Sequence, residues 1–117
     1  MTLQIQDIHF SYSGDEVLRG VTLELPRGCL AAILGENGSG KTTLLKTLNR
    51  LLQPRIGSVV IDGKSVAAMS GREIARYFGY MSQREEAAHC TVFEAVLLGR
   101  KARDGGRTDA RDLEKIE

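Results

Sequence analysis

Eight residues, Gly35-Glu36-Asn37-Gly38-Ser39-Gly40-Lys41-Thr42, carry the densest chemistry in the chain. They fit the pattern G-x-x-x-x-G-K-[ST], in which the backbone does much of the binding. The glycines admit conformations that a Cβ penalises. Successive amides can therefore turn toward one centre and form a concave anion site. A helix opening directly after the loop adds unpaired N–H groups and a partial positive charge at the same point. Lys41 brings a full charge for the β- and γ-phosphates of a nucleotide, and Thr42 offers a hydroxyl to Mg²⁺, which prefers oxygen ligands. Asn37 is expected to shape the loop rather than to react. A glycine-rich surface turn would show some of the same residues, so the flanking elements decide between the two readings.

Those elements agree with an anion site. Cys29 to Leu34 is apolar at six consecutive positions, as a strand buried on both faces would be. After the loop, Leu44, Leu45, Leu48, Leu51 and Leu52 recur at helical spacing with Lys46, Asn49 and Arg50 opposite, which predicts an amphipathic helix with its leucine stripe in the core. Pro54 and Gly57 end it.

The rest of the chain is built from short elements. Leu3 to Phe10 alternates and then shifts phase at Asp7-Ile8, a half-buried strand with a bulge, on which His9 packs or faces water. A turn around Gly14 and the alternating run Val21 to Leu25 make a second, antiparallel strand. Residues 57–61 form another strand, and Asp62-Gly63 signals a hairpin. Ser70-x-x-Glu73 and Thr91-x-x-Glu94 fit capping boxes, opening helices through Arg76 and through Leu98 or Arg100. Phe78 to Ser82 reads as a strand leaving Gln83 at its C-terminal end. Val92 to Leu98 carries six apolar residues and one charge; core burial is the first reading of it. From Arg100 to Glu117, 11 of 18 residues are charged, with a helix expected from Thr108 and Leu113 and Ile116 inward.

Composition narrows the function classes. With 117 residues, 42% of them hydrophobic and 26% charged, the balance is that of an ordinary globular chain. Sixteen basic and 15 acidic residues leave a net charge of +1, so charge supports neither nucleic acid nor an anionic membrane surface as a partner. The longest apolar run is far short of the ~20 residues of a spanning helix. Met1 to Gln4 lacks the basic and apolar regions of a secretory signal. Cys29 and Cys90 lack metal-ligand spacing and read as reduced thiols in a cytosolic chain. His89 beside Cys90 has no further ligands nearby.

Gly35 to Thr43, with its flanks, resembles the Walker A segment of ATP-binding-cassette (ABC) ATPases. Phe10-Ser11-Tyr12, followed by Val17-Leu18-Arg19-Gly20-Val21, is similar to the adenine-contacting aromatic loop of that family. Tyr80-Met81-Ser82-Gln83 is similar to its strand and Q-loop, 42 residues after Lys41. Val96-Leu97-Leu98-Gly99-Arg100 is similar to importers of iron-siderophore, haem or vitamin B12 complexes. The resemblance covers residues 1–103 and implies an α/β fold, a P-loop NTPase of the ABC ATPase type. The fold would be incomplete, with an antiparallel β subdomain and, at 104–117, the charged start of a helical subdomain. It also implies ATP and Mg²⁺ as cofactors, with Gly35, Asn37, Gly38, Ser39, Gly40, Lys41, Thr42 and Thr43 on the phosphates. Lys41 and Gln83 would be the catalytic pair, and Thr42 and Gln83 the Mg²⁺ contacts. Tyr12 would stack on adenine; an exposed turn tyrosine is its plain alternative. For Gln83 the alternative is a solvated strand end, and for Thr43 a first-turn helix residue.

Family members also use a Walker B aspartate with a following glutamate, a signature L-S-G-G-Q and a later switch histidine, none of which occurs in these 117 residues. The resemblance therefore implies the N-terminal portion of a longer transporter ATPase subunit, inactive alone and hydrolysing ATP as a complete homodimer. Alone, it is expected to be partly molten, to aggregate or to rely on an associating chain. Its partners would be a second ABC subunit and transmembrane permease subunits at the cytoplasmic face of the membrane, where a short permease helix could dock on Val92 to Leu98. Two other readings stay open: a non-catalytic nucleotide-binding or interaction fragment, and a soluble ABC ATPase.

Overall fold

The computed structural model describes residues 2–83 and 90–103. The chain divides into two compact units, Met1–Met69 and Ser70–Glu117. The polar stretch with His89 and the helix expected from Thr108 lie outside the described residues.

The first unit is built on a four-stranded antiparallel sheet, β1 (Leu3–Tyr12), β2 (Asp15–Leu25), β3 (Ile56–Ile61) and β4 (Lys64–Ser65), in the order β2-β1-β3-β4. Two-residue turns join β1 to β2 and β3 to β4. Ser13 and Gly14 (φ 45° and 105°), like Asp62 and Gly63 (48° and 77°), have positive φ at both central positions, which matches the twist of the flanking strands. The phase shift at Asp7 is a bulge. Ile5 faces Leu23 and Ile8 faces Val21 on β2, while Gln6 faces Ser58 and His9 faces Ile56 on β3. Asp7 takes φ 48° to accommodate the extra residue. The bulge turns Ile8 to the same side as Ile5, and both are sealed from solvent together with Phe10, Val59 and Ile61. Gly57, φ 93°, lies against the carbonyls of Gln6 and Asp7, where a Cβ would collide with backbone. Its role is thus to face the bulge from within β3; it does not end the helix, which stops at Leu48, short of the expected Pro54–Gly57 boundary.

Between β2 and β3 runs α1 (Lys41–Leu48), whose Leu44 and Leu48 enter the core. Thr47, also buried, donates its hydroxyl to the Thr43 carbonyl at 2.8 Å. The expected leucine stripe is shorter than its spacing suggests. Arg50 adopts φ 59°, Asn49 accepts from the Leu51 amide through its side chain at 3.2 Å, and the chain folds back so that Leu52 N–H donates to Lys46 O. Leu51 is consequently exposed, and Leu45 lies off the buried face that Thr43, Leu44, Thr47 and Leu48 share. Arg50 closes the corner by donating to the carbonyls of Ala67 and Met69.

Two expected strands are corrected. Cys29 to Leu34 joins no sheet, and Leu30 is wholly exposed. Phe78 to Ser82 likewise forms no ladder, and Met81 stands in solvent. A strand apolar on both faces needs neighbours along its edges and layers over its faces, and no described strand lies beside either segment.

The second unit contains α2 (Gly71–Tyr77) and α3 (Val92–Arg103), which contact each other. Both capping boxes form. Ser70 accepts from Glu73 N–H while Glu73 accepts from Ser70 N–H, and Thr91 and Glu94 make the same reciprocal pair. Core burial of Val92 to Leu98 is corrected: Val92, Phe93, Val96 and Leu98 are exposed and Leu97 is half-buried.

Candidate functional site

The loop 35–40 curls around the side chain of Lys41. The Lys41 ammonium donates to the Gly35 carbonyl at 2.6 Å, to the Glu36 carbonyl, and to Ser39 Oγ at 3.3 Å. Ser39 N–H closes a turn onto Glu36 O at 3.2 Å. One atom thus touches both ends of the loop, which excludes an extended course for this stretch. Positive φ calls for glycine at two of its positions, Gly38 and Gly40. At Gly35 a Cβ would lie 2.8 Å from Ser39 Oγ, a hydroxyl that can turn aside. At Gly40, φ 96°, it would lie 3.0 Å from Val17 Cγ1 and 3.2 Å from Leu18 Cδ2. Gly40 therefore seats the loop directly on β2. Gly38 has φ 84° and open space around it, a conformational requirement without a packing one.

Gly40 is also the residue that opens α1, its carbonyl accepting from Leu44 N–H at 2.8 Å. No side chain caps this helix and no acidic residue lies in its first turn. The contrast with α2 is informative, because that helix spends Ser70 and Glu73 on its own amides. The first turn of α1 keeps its unpaired N–H groups and its partial positive charge for an anion.

Tyr12 belongs to the same site. It ends β1, opposite Asp15, and its hydroxyl lies 3.4 Å from Thr43 Oγ1 in the first turn of α1. Phe10, buried, packs against it edge to face with ring centroids 4.8 Å apart. Tyr12 remains 46% exposed, so a supported aromatic face is open beside the loop. Thr42 is exposed and Thr43 is buried. Asn37 is exposed within the loop. The structure thus brings together Tyr12, Gly35, Asn37, Gly38, Ser39, Gly40, Lys41, Thr42 and Thr43. Gln83 is exposed in the second unit and is described only there. Sequence reasoning missed Phe10 as the support of Tyr12. The signal was available, since Phe10 and Tyr12 share one face of a strand past its bulge.

A family model described as ABC transporter matches residues 18–116. The chain belongs to this family. An ABC transporter ATP-binding protein of Methanocaldococcus jannaschii is 40% identical over 114 residues, covering 97% of this chain and 45% of that protein. The hemin import ATP-binding protein HmuV of Rhizobium meliloti is 36% identical over 121 residues, covering 98% of this chain and 46% of its own length. Among solved structures, the ATP binding subunit of an ABC transporter superposes with a TM-score of 0.80 at 30% identity, over 94% of this chain and 45% of that one. A bacterial Atm1-family ABC exporter with ATP bound gives a TM-score of 0.61 over 64% of this chain and 14% of that one. The ABC chain described here thus spans less than half the length of these relatives. Its fold is the ABC-type P-loop α/β fold in part, with the antiparallel subdomain formed. No helix among the described residues is long and apolar enough to cross a membrane.

Proposed function

We propose that this chain is the nucleotide-binding portion of a transporter ATPase subunit, and that it binds MgATP through loop 35–42 and Tyr12. The observation that carries the reading is the loop closed around the Lys41 ammonium at an uncapped helix start. A polyphosphate is a stronger acceptor for that ammonium than the backbone carbonyls it holds here, because both partners are then charged. Gly38 to Thr43 supply amides and hydroxyls around it. Thr42 and Gln83 are the Mg²⁺ contacts in this reading, and hard oxygen donors suit that ion. When bound, Mg²⁺ neutralises phosphate charge. Tyr12 offers its open ring face to the base, a broad apolar contact with little base selectivity.

Residues 1–103 then form the first part of an ABC ATPase domain, and 104–117 the start of its helical subdomain. Hydrolysis belongs to the complete dimeric subunit, with Lys41 and Gln83 in catalytic roles, and the chain alone is inactive. The partners are a second ABC subunit and transmembrane permease subunits, which would hold the protein on the cytoplasmic face of the membrane. The exposed apolar residues of α3 supply a surface for the permease. In this reading the cargo is an iron-siderophore, haem or cobalamin complex, and the likeness to a hemin import protein supports the haem member of that set.

The test separates the two arms of the site. Tyr12→Ala is expected to weaken MgATP binding about tenfold while leaving pyrophosphate affinity nearly unchanged, the loss of one stacking contact. Equal losses for both ligands, measured by calorimetry, would contradict the assignment of Tyr12 to the base.

A further inference from the structure

His9 meets a carboxylate at each ring nitrogen. Its Nδ1 lies 2.7 Å from Glu16 Oε1 and its Nε2 lies 3.1 Å from Asp7 Oδ1. Carboxylates only accept, and a neutral imidazole carries a single N–H. Both contacts are hydrogen bonds at once only when the ring is an imidazolium. The bond to Glu16 above all, then the bond to Asp7 and the charge of both, raise the His9 pKa above its ordinary value near 6.5 despite partial desolvation.

The two carboxylates reach the ring by special routes. Asp7 is the bulge residue of β1, held by its amide on Thr22 Oγ1 at 2.9 Å. Glu16 comes from the start of β2, opposite Ser11. Gly20, φ 73°, leaves the space, since a Cβ there would lie 3.1 Å from Asp7 Oδ1 and 3.4 Å from His9 Nε2. Among the described residues one further ion pair reaches this cluster. Arg19, opposite His9 on β2, has its Nε 3.9 Å from Glu16 Oε2. On the β3 side His9 faces Ile56, and the Arg55 amide donates to the His9 carbonyl at 2.8 Å.

This cluster stands at the hairpin end that carries Tyr12. We propose that His9, as an imidazolium bound to Asp7 and Glu16, is a positioning residue for Tyr12. It ties the bulge of β1 to the start of β2, so that the base contact weakens when His9 loses its proton. The inference rests on reading Tyr12 as the base contact. Because folding raises the His9 pKa, the stabilisation is fully present below about 6.5 and is lost as pH rises through the raised value.

The experiment compares MgATP with the magnesium complex of methyl triphosphate on the full chain from about pH 6 to about pH 9, across the His9 titration. Each ligand carries one terminal phosphate that titrates in this range, so the ratio of affinities isolates the nucleoside. The ratio is expected to fall about threefold or more through the His9 midpoint, read in parallel from its ring NMR signals. His9→Gln should give a low ratio independent of pH, Glu16→Gln should move the midpoint down, and His89→Gln should change neither. A ratio that stays flat while His9 titrates, or a His9 pKa at or below 6.5, would overturn the proposal. Should neither ligand bind at any pH, the nucleotide reading fails by itself. Amide exchange across the Ser11–Glu16 pairing then decides the clamp: protection lost on deprotonation supports it, and unchanged protection overturns it.

Discussion

Two apolar stretches of this ABC chain meet opposite fates. In β1, Ile5 and Ile8 are sealed, whereas Leu30 in the segment 29–34 is wholly exposed. The difference lies in neighbours. β1 is flanked by β2 and β3, and its bulge turns both isoleucines to one side. Segment 29–34 has no strand beside it among the described residues. The phosphate loop starts immediately after that exposed segment and is nevertheless formed. Its order comes from local causes: Gly40 on Val17 and Leu18, the turn at Ser39, and the ammonium of Lys41. Burial is therefore a property of the surrounding sheet, while the anion cradle is a property of its own backbone and of β2.

The largest effect that would test this contrast is in the sealed region. Ile8→Ala should cost about 2–5 kcal/mol in urea unfolding, through lost transfer energy and a cavity. Leu30→Ala should change stability by no more than ~0.5 kcal/mol. Similar costs at the two positions would break the comparison. Next in size, Gly40→Ala places a Cβ on Val17 at φ 96° and should cost about 1–3 kcal/mol, with a measurable loss of MgATP affinity. An unaltered affinity would show that the seat on β2 does not order the loop. Smaller still, Ser70→Ala should destabilise α2 by ~1 kcal/mol in a denaturation curve.

The smallest effect is a pH dependence at α3. The amide and hydroxyl of Thr91 hold the Glu94 carboxyl below the usual glutamate range. A depressed folded pKa stabilises above the unfolded value and ceases to do so as pH falls through the folded one. The far-UV helix signal should therefore weaken in acid, and Glu94→Gln should remove that step. An acid step of the same size in the variant would assign it to another group.

Much of the fold was legible because its signals were local. Asp7-Ile8 announced the bulge, Gly14 and Asp62-Gly63 the two turns, and Ser70–Glu73 and Thr91–Glu94 the helix starts. Each is decided by dihedral preferences or by hydrogen bonds within a few residues. The phosphate loop was legible for the same reason. What misled was hydrophobicity without a partner. The runs 29–34 and 78–82 read as strands, and 92–98 as core, because apolar content signals a wish for burial and says nothing of who supplies it. The leucine stripe overran because Asn49 and Arg50 end α1 through backbone conformation, which spacing does not register. The Asp7-His9-Glu16 cluster was invisible because it depends on the register of β1 against β2.

The central claim is that the ammonium of Lys41 and the amides around it bind a nucleotide's phosphates. Calorimetric titration of MgATP into the chain and into Lys41→Ala measures this most directly. Removal of one charge-assisted interaction is expected to weaken binding by about 1.5–3 kcal/mol, on the order of 10- to 150-fold. Equal affinity of the two proteins for MgATP, with the β1–β2 sheet intact in both, would contradict it.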